Sequence, residues 1–231
     1  MLFNFRDMGG YTNEEGLKMK KGCFYRGGTL KLLEEEEEKY IDGLGLKHIF
    51  DLRSEEEINR DYKEYVPEGC TLHQINALEF LQGKRDDLDF TNQKNYYETA
   101  SDWLAYLYKH MPFDSRAYKE VFEVIRKHET PFYFHCAAGK DRTGVLGALI
   151  MWMLDVDRET IYEEYMKSYD NMAERFGTEH PEALTNIEWI KGTFESIDQK
   201  YDSKDEFFLQ EFGIGTSERE SLKKFYLEQG Q

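Results

Sequence analysis

Two apolar runs, Pro131-Phe132-Tyr133-Phe134-His135 and Val145 to Leu154, flank the polar stretch Cys136-Ala137-Ala138-Gly139-Lys140-Asp141-Arg142-Thr143-Gly144. The first run is short and aromatic with no polar alternation, the pattern of a strand covered on both faces. The second suits a helix buried all round. A strand covered on both faces needs helices on each side of its sheet, so this one unit selects a layered α/β architecture.

The rest of the chain agrees. Lys47 to Leu52 reads as a second buried strand, followed by a helix opening at Ser54, where Ser54-Glu55-Glu56-Glu57 has the capping-box pattern. Cys23-Phe24-Tyr25 and Thr71 to Asn76 are further strand candidates among turn glycines. Helical spacing predicts a helix over about Leu30 to Ile41, capped by Thr29, with Leu32, Leu33, Tyr40 and Ile41 inward and the run Glu34 to Glu38 mostly outward. It predicts others through Ala100 to Met111, through Ala117 to His128, and over Arg158 to Tyr169, Ile187 to Tyr201 and Ser217 to Leu227. The expectation is a single domain over 1–231 with a central mixed, mainly parallel sheet and flanking helices. A helical lid is inserted at about 78–116, and the C-terminal third, from about 142, is helical.

Composition narrows the partners. The 231 residues carry a formal charge of −16, which repels nucleic-acid phosphates and anionic lipid surfaces. Cys23, Cys70 and Cys136 are too few and too scattered for a disulfide framework, which fits a reducing, cytoplasmic setting. No apolar run approaches the roughly 20 residues of a membrane span. His48, His73, His110, His128 and His180 share no metal-ligand spacing, so no metal is expected.

The chemistry concentrates in the loop. A turn entering a helix N-terminus can aim successive backbone N–H groups into one concavity suited to a tetrahedral anion. Ala137, Ala138, Gly139, Lys140 and Thr143 would line it, and Arg142 can return to bind two phosphate oxygens bidentately. In the same field Cys136 is expected to ionise and become a nucleophile toward phosphorus, with Thr143 hydrogen-bonding the departing thiolate. The phosphate loop of nucleotide triphosphatases is excluded, because Gly139-Lys140 is followed by Asp141 and Phe134 stands where the first glycine belongs. Sulfur transfer of the rhodanese kind has a shorter loop and no need of Arg142-Thr143. A phosphate-binding pseudoenzyme is the non-enzymatic alternative.

The sequence His135-Cys136, five residues, Arg142-Thr143-Gly144 resembles the signature of the cysteine-dependent phosphatases. With Asn4-Phe5-Arg6-Asp7-Met8-Gly9-Gly10, Tyr25-Arg26-Gly27 and Asp51-Leu52-Arg53-Ser54 before it, the chain is similar to the bacterial atypical tyrosine/serine phosphatases, a family with some members active on phosphoinositides. The resemblance implies a phosphocysteine intermediate, no cofactor, and a phosphotyrosine protein or peptide as substrate, with dual-specificity or phosphoinositide activity as the alternative. It also implies that Asp51 orients Arg142 with Arg53 in support, a plain buried ion pair being the other reading. No Trp-Pro-Asp occurs, so the general acid must come from elsewhere. Asp141 is the leading candidate, against a helix cap or an ion pair with Arg142, and Asp86, Asp87 and Asp89 are the lid alternatives. Lys140 would add an anion contact. His135 is expected to bond backbone and not to act as a base.

Overall fold

A computed structural model describes residues 2–81, 100–178 and 184–230. In chain order it shows β1 (Arg6–Asp7), β2 (Leu17–Met19), β3 (Phe24–Gly27), α1 (Glu35–Gly43), β4 (His48–Asp51), α2 (Glu55–Asn59) and β5 (Thr71–Gln74). A 3-10 turn (Glu79–Leu81) precedes α3 (Ala100–His110), α4 (Arg116–Arg126), β6 (Phe132–His135), α5 (Asp141–Met153) and α6 (Arg158–Phe176). The chain continues through α7 (Ile187–Lys200), α8 (Lys204–Phe212), α9 (Thr216–Tyr226) and β7 (Leu227–Gln229).

The main sheet has the order β1-β3-β6-β4-β5, parallel throughout except that β1 runs antiparallel to β3. Its register places Gly27, His135, Asp51 and Gln74 in one row at the carboxyl ends of the parallel strands. Ligands of open α/β sheets bind outside that edge, and the loop carrying Cys136 leaves from its middle. Alternation along the strands divides the core. Phe24, Phe50, Phe132 and Phe134 join α4, α5 and α7 on one face, while Tyr25, Ile49 and Tyr133 meet Leu30, Ile41 and Leu46 on the other. Helix α5 is buried at every position from Thr143 to Met153, as its uninterrupted apolar run requires.

The first helix starts later than its sequence suggests. Thr29 does not cap it: the Thr29 N–H donates to the Ala137 carbonyl, Leu30 is held by Glu64 and Tyr65, and Leu32 has φ +52°. Glu34 becomes the N-cap, its N–H satisfied by the Glu37 carboxylate at 3.1 Å. Leu32 and Tyr40 consequently face solvent, at 69% and 52% exposure, not the core. The C-terminal third is helical but closes on a strand, because β7 pairs antiparallel with β2 in a register from Leu17↔Gln229 to Met19↔Leu227. Within the segment expected as a lid, α3 packs on α7: Thr193 Oγ1 donates to the Tyr108 carbonyl at 2.9 Å, and the Tyr108 and Trp189 rings lie 5.8 Å apart. Asp86, Asp87 and Asp89 lie outside the described residues, as does His180.

One buried carboxylate ties the helical third together. Asp155, in the turn between α5 and α6, accepts from Lys204 Nζ (2.6 Å), Arg219 Nη1 (2.6 Å) and Lys223 Nζ (2.7 Å), joining α8 and α9 to the core. Burial by itself would raise its pKa, but these cations outweigh burial and hold it at about 2. A depressed carboxylate contributes stability above its unfolded pKa and loses it as pH falls through the folded one. Asp155→Asn should destabilise the protein by about 3 kcal/mol in urea unfolding at neutral pH. The gap to wild type should stay constant above about pH 4 and close toward pH 2.

Candidate active site

The loop from β6 to α5 is shaped by what holds its carbonyl oxygens. Leu52 N–H donates to His135 O (2.9 Å), His135 Nδ1 meets Cys136 O (3.0 Å), and Thr29 N–H donates to Ala137 O (3.4 Å). Asn4 Nδ2 donates to both Ala138 O and Gly139 O at 3.1 Å, and Arg26 Nη2 donates to Gly139 O at 3.0 Å. In a planar trans peptide the N–H points opposite to the C=O. With the carbonyls of 136–139 held from outside, the N–H groups of Ala137, Ala138, Gly139 and Lys140 turn toward the loop's own concavity, where the first turn of α5 adds its unpaired N–H groups. Gly139 allows the turn twice over. Its φ is +68°, and a Cβ there would stand 2.1 Å from Gly27 O.

Cys136, only 2% exposed, lies at the head of this loop. Burial pushes its thiol up, yet the Arg142 charge and hydrogen bonds from the Thr143 hydroxyl and N–H overcome burial and the opposing Asp141 charge, so its pKa lies below the ordinary thiol value. Thr143 Oγ1 is buried with no other hydrogen-bond partner among the described residues.

Arg142 is not oriented by Asp51. Its Nη1 and Nη2 donate to Glu57 Oε2 (2.6 Å) and Oε1 (2.8 Å), and its carbonyl accepts from Tyr118 Oη (2.8 Å). Glu57 is the last residue of the α2 capping box: Ser54 N–H donates to Oε2 (2.9 Å), while Ser54 Oγ accepts from Glu57 N–H (3.3 Å). Burial would raise the Glu57 carboxyl, but Arg142 and Ser54 hold it at about 2. Asp51 instead belongs to the ion pair left open as the other reading. Arg53 donates Nε to its Oδ1 (2.9 Å) and Nη2 to its Oδ2 (2.7 Å), and also reaches Glu64 (2.9 Å) and Asp61 (2.8 Å). Asp51, Glu64 and His135 have the residue types and proximity of a metal site, but Arg53 already neutralises the two carboxylates from within the cluster, so they do not fit a cation.

Asp141 stands at the first turn of α5, with Lys140 and not Asp141 in the N-cap position. Its Oδ1 accepts from Tyr108 Oη at 2.9 Å, and Tyr108 Oη lies 2.7 Å from Tyr165 Oη. Burial, then the Asp141 charge, raises the Tyr108 phenol and keeps it a donor. Lys140 Nζ is buried, donating to Leu184 O (3.1 Å), pairing with Asp141 Oδ1 (2.9 Å) and lying 4.9 Å from the Trp189 ring centroid. His135, fully buried, bonds backbone as expected.

The residues that support the loop leave little signal in the sequence. Glu57 was visible as a capping residue, Asn4 and Arg26 only as motif members, and Glu164 not at all, although it accepts from Arg26 Nη1 and Arg6 Nε at 2.6 Å each. A cleft of about 730 Å³ opens at the ends of β4 and β5 beside Glu57, and one of about 310 Å³ is bordered by Ala137, Ala138, Lys31 and Arg175. Cys136 lines neither of these two clefts.

A family model described as the tyrosine phosphatase family matches residues 1–228. The chain belongs to that family. It is a phosphatase. Among relatives of this family, the triple specificity protein phosphatase PtpB of Mycobacterium tuberculosis is 24% identical over 87% of this chain and 88% of its own. A protein of Cupriavidus necator, named provisionally as a tyrosine-protein phosphatase, is 26% identical over 75% of this chain and 63% of its own. Among solved structures, the core catalytic domain of the PP-IP phosphatase SIW14 from S. cerevisiae, in complex with citrate, aligns with a TM-score of 0.38 at 16% identity. That alignment covers 80% of this chain and 86% of that one.

Alkylation of Cys136 by iodoacetamide should reach half-maximal rate below the ordinary thiol midpoint of about 8.5. Gly139→Ala, which forces the loop off Gly27, should move that midpoint upward, as followed by alkylation rate against pH.

Proposed function

We propose that this phosphatase hydrolyses phosphotyrosine in proteins or peptides through a phosphocysteine at Cys136. The observation that carries the reading is a buried thiol with a lowered pKa at the head of a loop whose carbonyls are all held from outside. Arg142 keeps donor hydrogens beyond the two given to Glu57, and these bind the equatorial phosphate oxygens as negative charge develops. The Cys136 thiolate attacks phosphorus in line, forming the S–P bond as the bond to the tyrosine oxygen breaks. Asp141 delivers the proton to that oxygen. Water then attacks phosphorus, giving its proton to Asp141, and phosphate leaves as the thiolate is restored. Tyr108 fixes one Asp141 oxygen, which orients the carboxyl for this shuttle.

Two observations bear on the substrate. Lys140 is engaged by Leu184, Asp141 and Trp189, which weakens the case for it as a contact to the extra phosphates of an inositide. The triple specificity of PtpB favours, as a second reading, a broader range of phosphomonoesters.

Phosphate release from a phosphotyrosine peptide and from soluble phosphoinositides, measured side by side, should favour the peptide. Preference for the inositide would reverse the substrate assignment. Cys136→Ser should abolish turnover while retaining vanadate binding, and activity within about tenfold of wild type would remove the nucleophile assignment. Asp141→Asn should slow poor leaving groups by about 10²-fold or more while largely sparing activated aryl phosphates; equal losses would make Asp141 structural.

A further inference from the structure

At the end of the sheet away from Cys136, β4 and β5 bring two histidines together. His48 opens β4 and His73 lies across from Phe50, so both rings stand on the Phe50 face; the His73 and Phe50 rings stack 4.5 Å apart. His48 Nδ1 and His73 Nε2 share a hydrogen bond of 3.0 Å, one ring donating and the other accepting. Each ring turns its remaining nitrogen to a carboxylate: His48 Nε2 lies 3.5 Å from Glu129 Oε2, and His73 Nδ1 lies 3.9 Å from Glu120 Oε2.

Two imidazole nitrogens bound tetrahedrally to zinc at 2.0–2.1 Å stand roughly 3.3 Å apart. The observed pair is a few tenths of an ångström closer than that, and a metal would take the place of the proton the two nitrogens share, releasing it to solvent. Histidines that bind metals ordinarily direct the far ring nitrogen to a carboxylate, which sets the tautomer and raises ligand basicity; His48 is placed that way by Glu129, while Glu120 acts on His73 through its charge alone. Burial, followed for His48 by the neighbouring His73, lowers both imidazole pKa values and keeps the nitrogens available at neutral pH. Of the charged groups facing the pair, Glu120 and Glu129 are acidic, while Lys47 and Arg116 are basic, the latter drawn to Glu120 at 3.6 Å. The overall charge of −16 favours cation uptake. Paired imidazoles suit zinc, copper or nickel over magnesium or calcium.

We propose that His48 Nδ1 and His73 Nε2 bind one divalent metal ion of the zinc class, pinning edge strand β5 to β4, with Glu129 orienting the His48 ring and solvent completing the coordination. The site is separate from the reaction centre and rests on none of the catalytic assignments.

The test uses full-length Cys136→Ser protein stripped with EDTA, so that the loop thiolate cannot take the metal. Calorimetric titration with zinc chloride should show one equivalent bound, with a melting temperature that rises with zinc concentration. His48→Gln and His73→Gln should each abolish both effects. Unchanged binding in the two variants, or no binding at millimolar zinc, overturns the proposal. Should either variant misfold, imidazole NMR of the Cys136→Ser protein decides: zinc should shift the His48 and His73 resonances and leave His110 in place, and immobile His48 and His73 signals overturn it equally.

Discussion

The outward capture of the loop carbonyls is the constraint on which the candidate active site rests. A peptide unit has a donor end and an acceptor end on opposite sides, so a row of inward N–H groups exists only if the matching oxygens are satisfied elsewhere. Asn4 from the N-terminal segment, Thr29 beyond β3, Arg26 within β3 and Leu52 beyond β4 supply those partners. The shape of the loop is therefore a product of the sheet edge as a whole. Arg26 shows what this demands: it is fully buried, and burial, with Arg6 beside it, lowers its pKa to about 10 despite Glu164. Glu164 in α6 balances both arginines, so the C-terminal helices take part in shaping a loop they do not contain.

The charges in front of the loop form a second, coupled layer. Arg142 and Cys136 favour each other's ionised forms, and Glu57 holds the guanidinium in place without entering the loop. The same carboxylate closes the α2 capping box, so a local helix-start device also sets the position of a distant arginine. Behind the loop, Arg53 gathers Asp51, Asp61 and Glu64 into a separate network that abuts His135. The two networks share no carboxylate, each having its own arginine.

Local spacing along the chain carries part of the fold. The covered strand ending at His135, the capping box at Ser54 and the buried run of α5 are all short-range patterns. Thr29 caps no helix because the chain turns through a positive φ at Leu32 and the helix begins only at Glu35. Leu32 and Tyr40 fit a helical stripe, yet the turn at Leu32 moves the helix start and with it the buried face. Strand β7 was invisible because its partner, β2, lies at the other end of the chain.

The sequence by itself determined the strand–loop–helix unit, the presence of Cys136, Asp141 and Arg142 within it, the glycine at the turn and the mainly parallel α/β architecture. These follow from residue order within a few positions, which fixes what can share a loop, a strand or a helix face. Tertiary structure alone decided the partners: Glu57 and not Asp51 for Arg142, Tyr108 for Asp141, three cations for Asp155, and His73 for His48. Strand order and helix packing set those distances, and neither is encoded in the spacing along the chain.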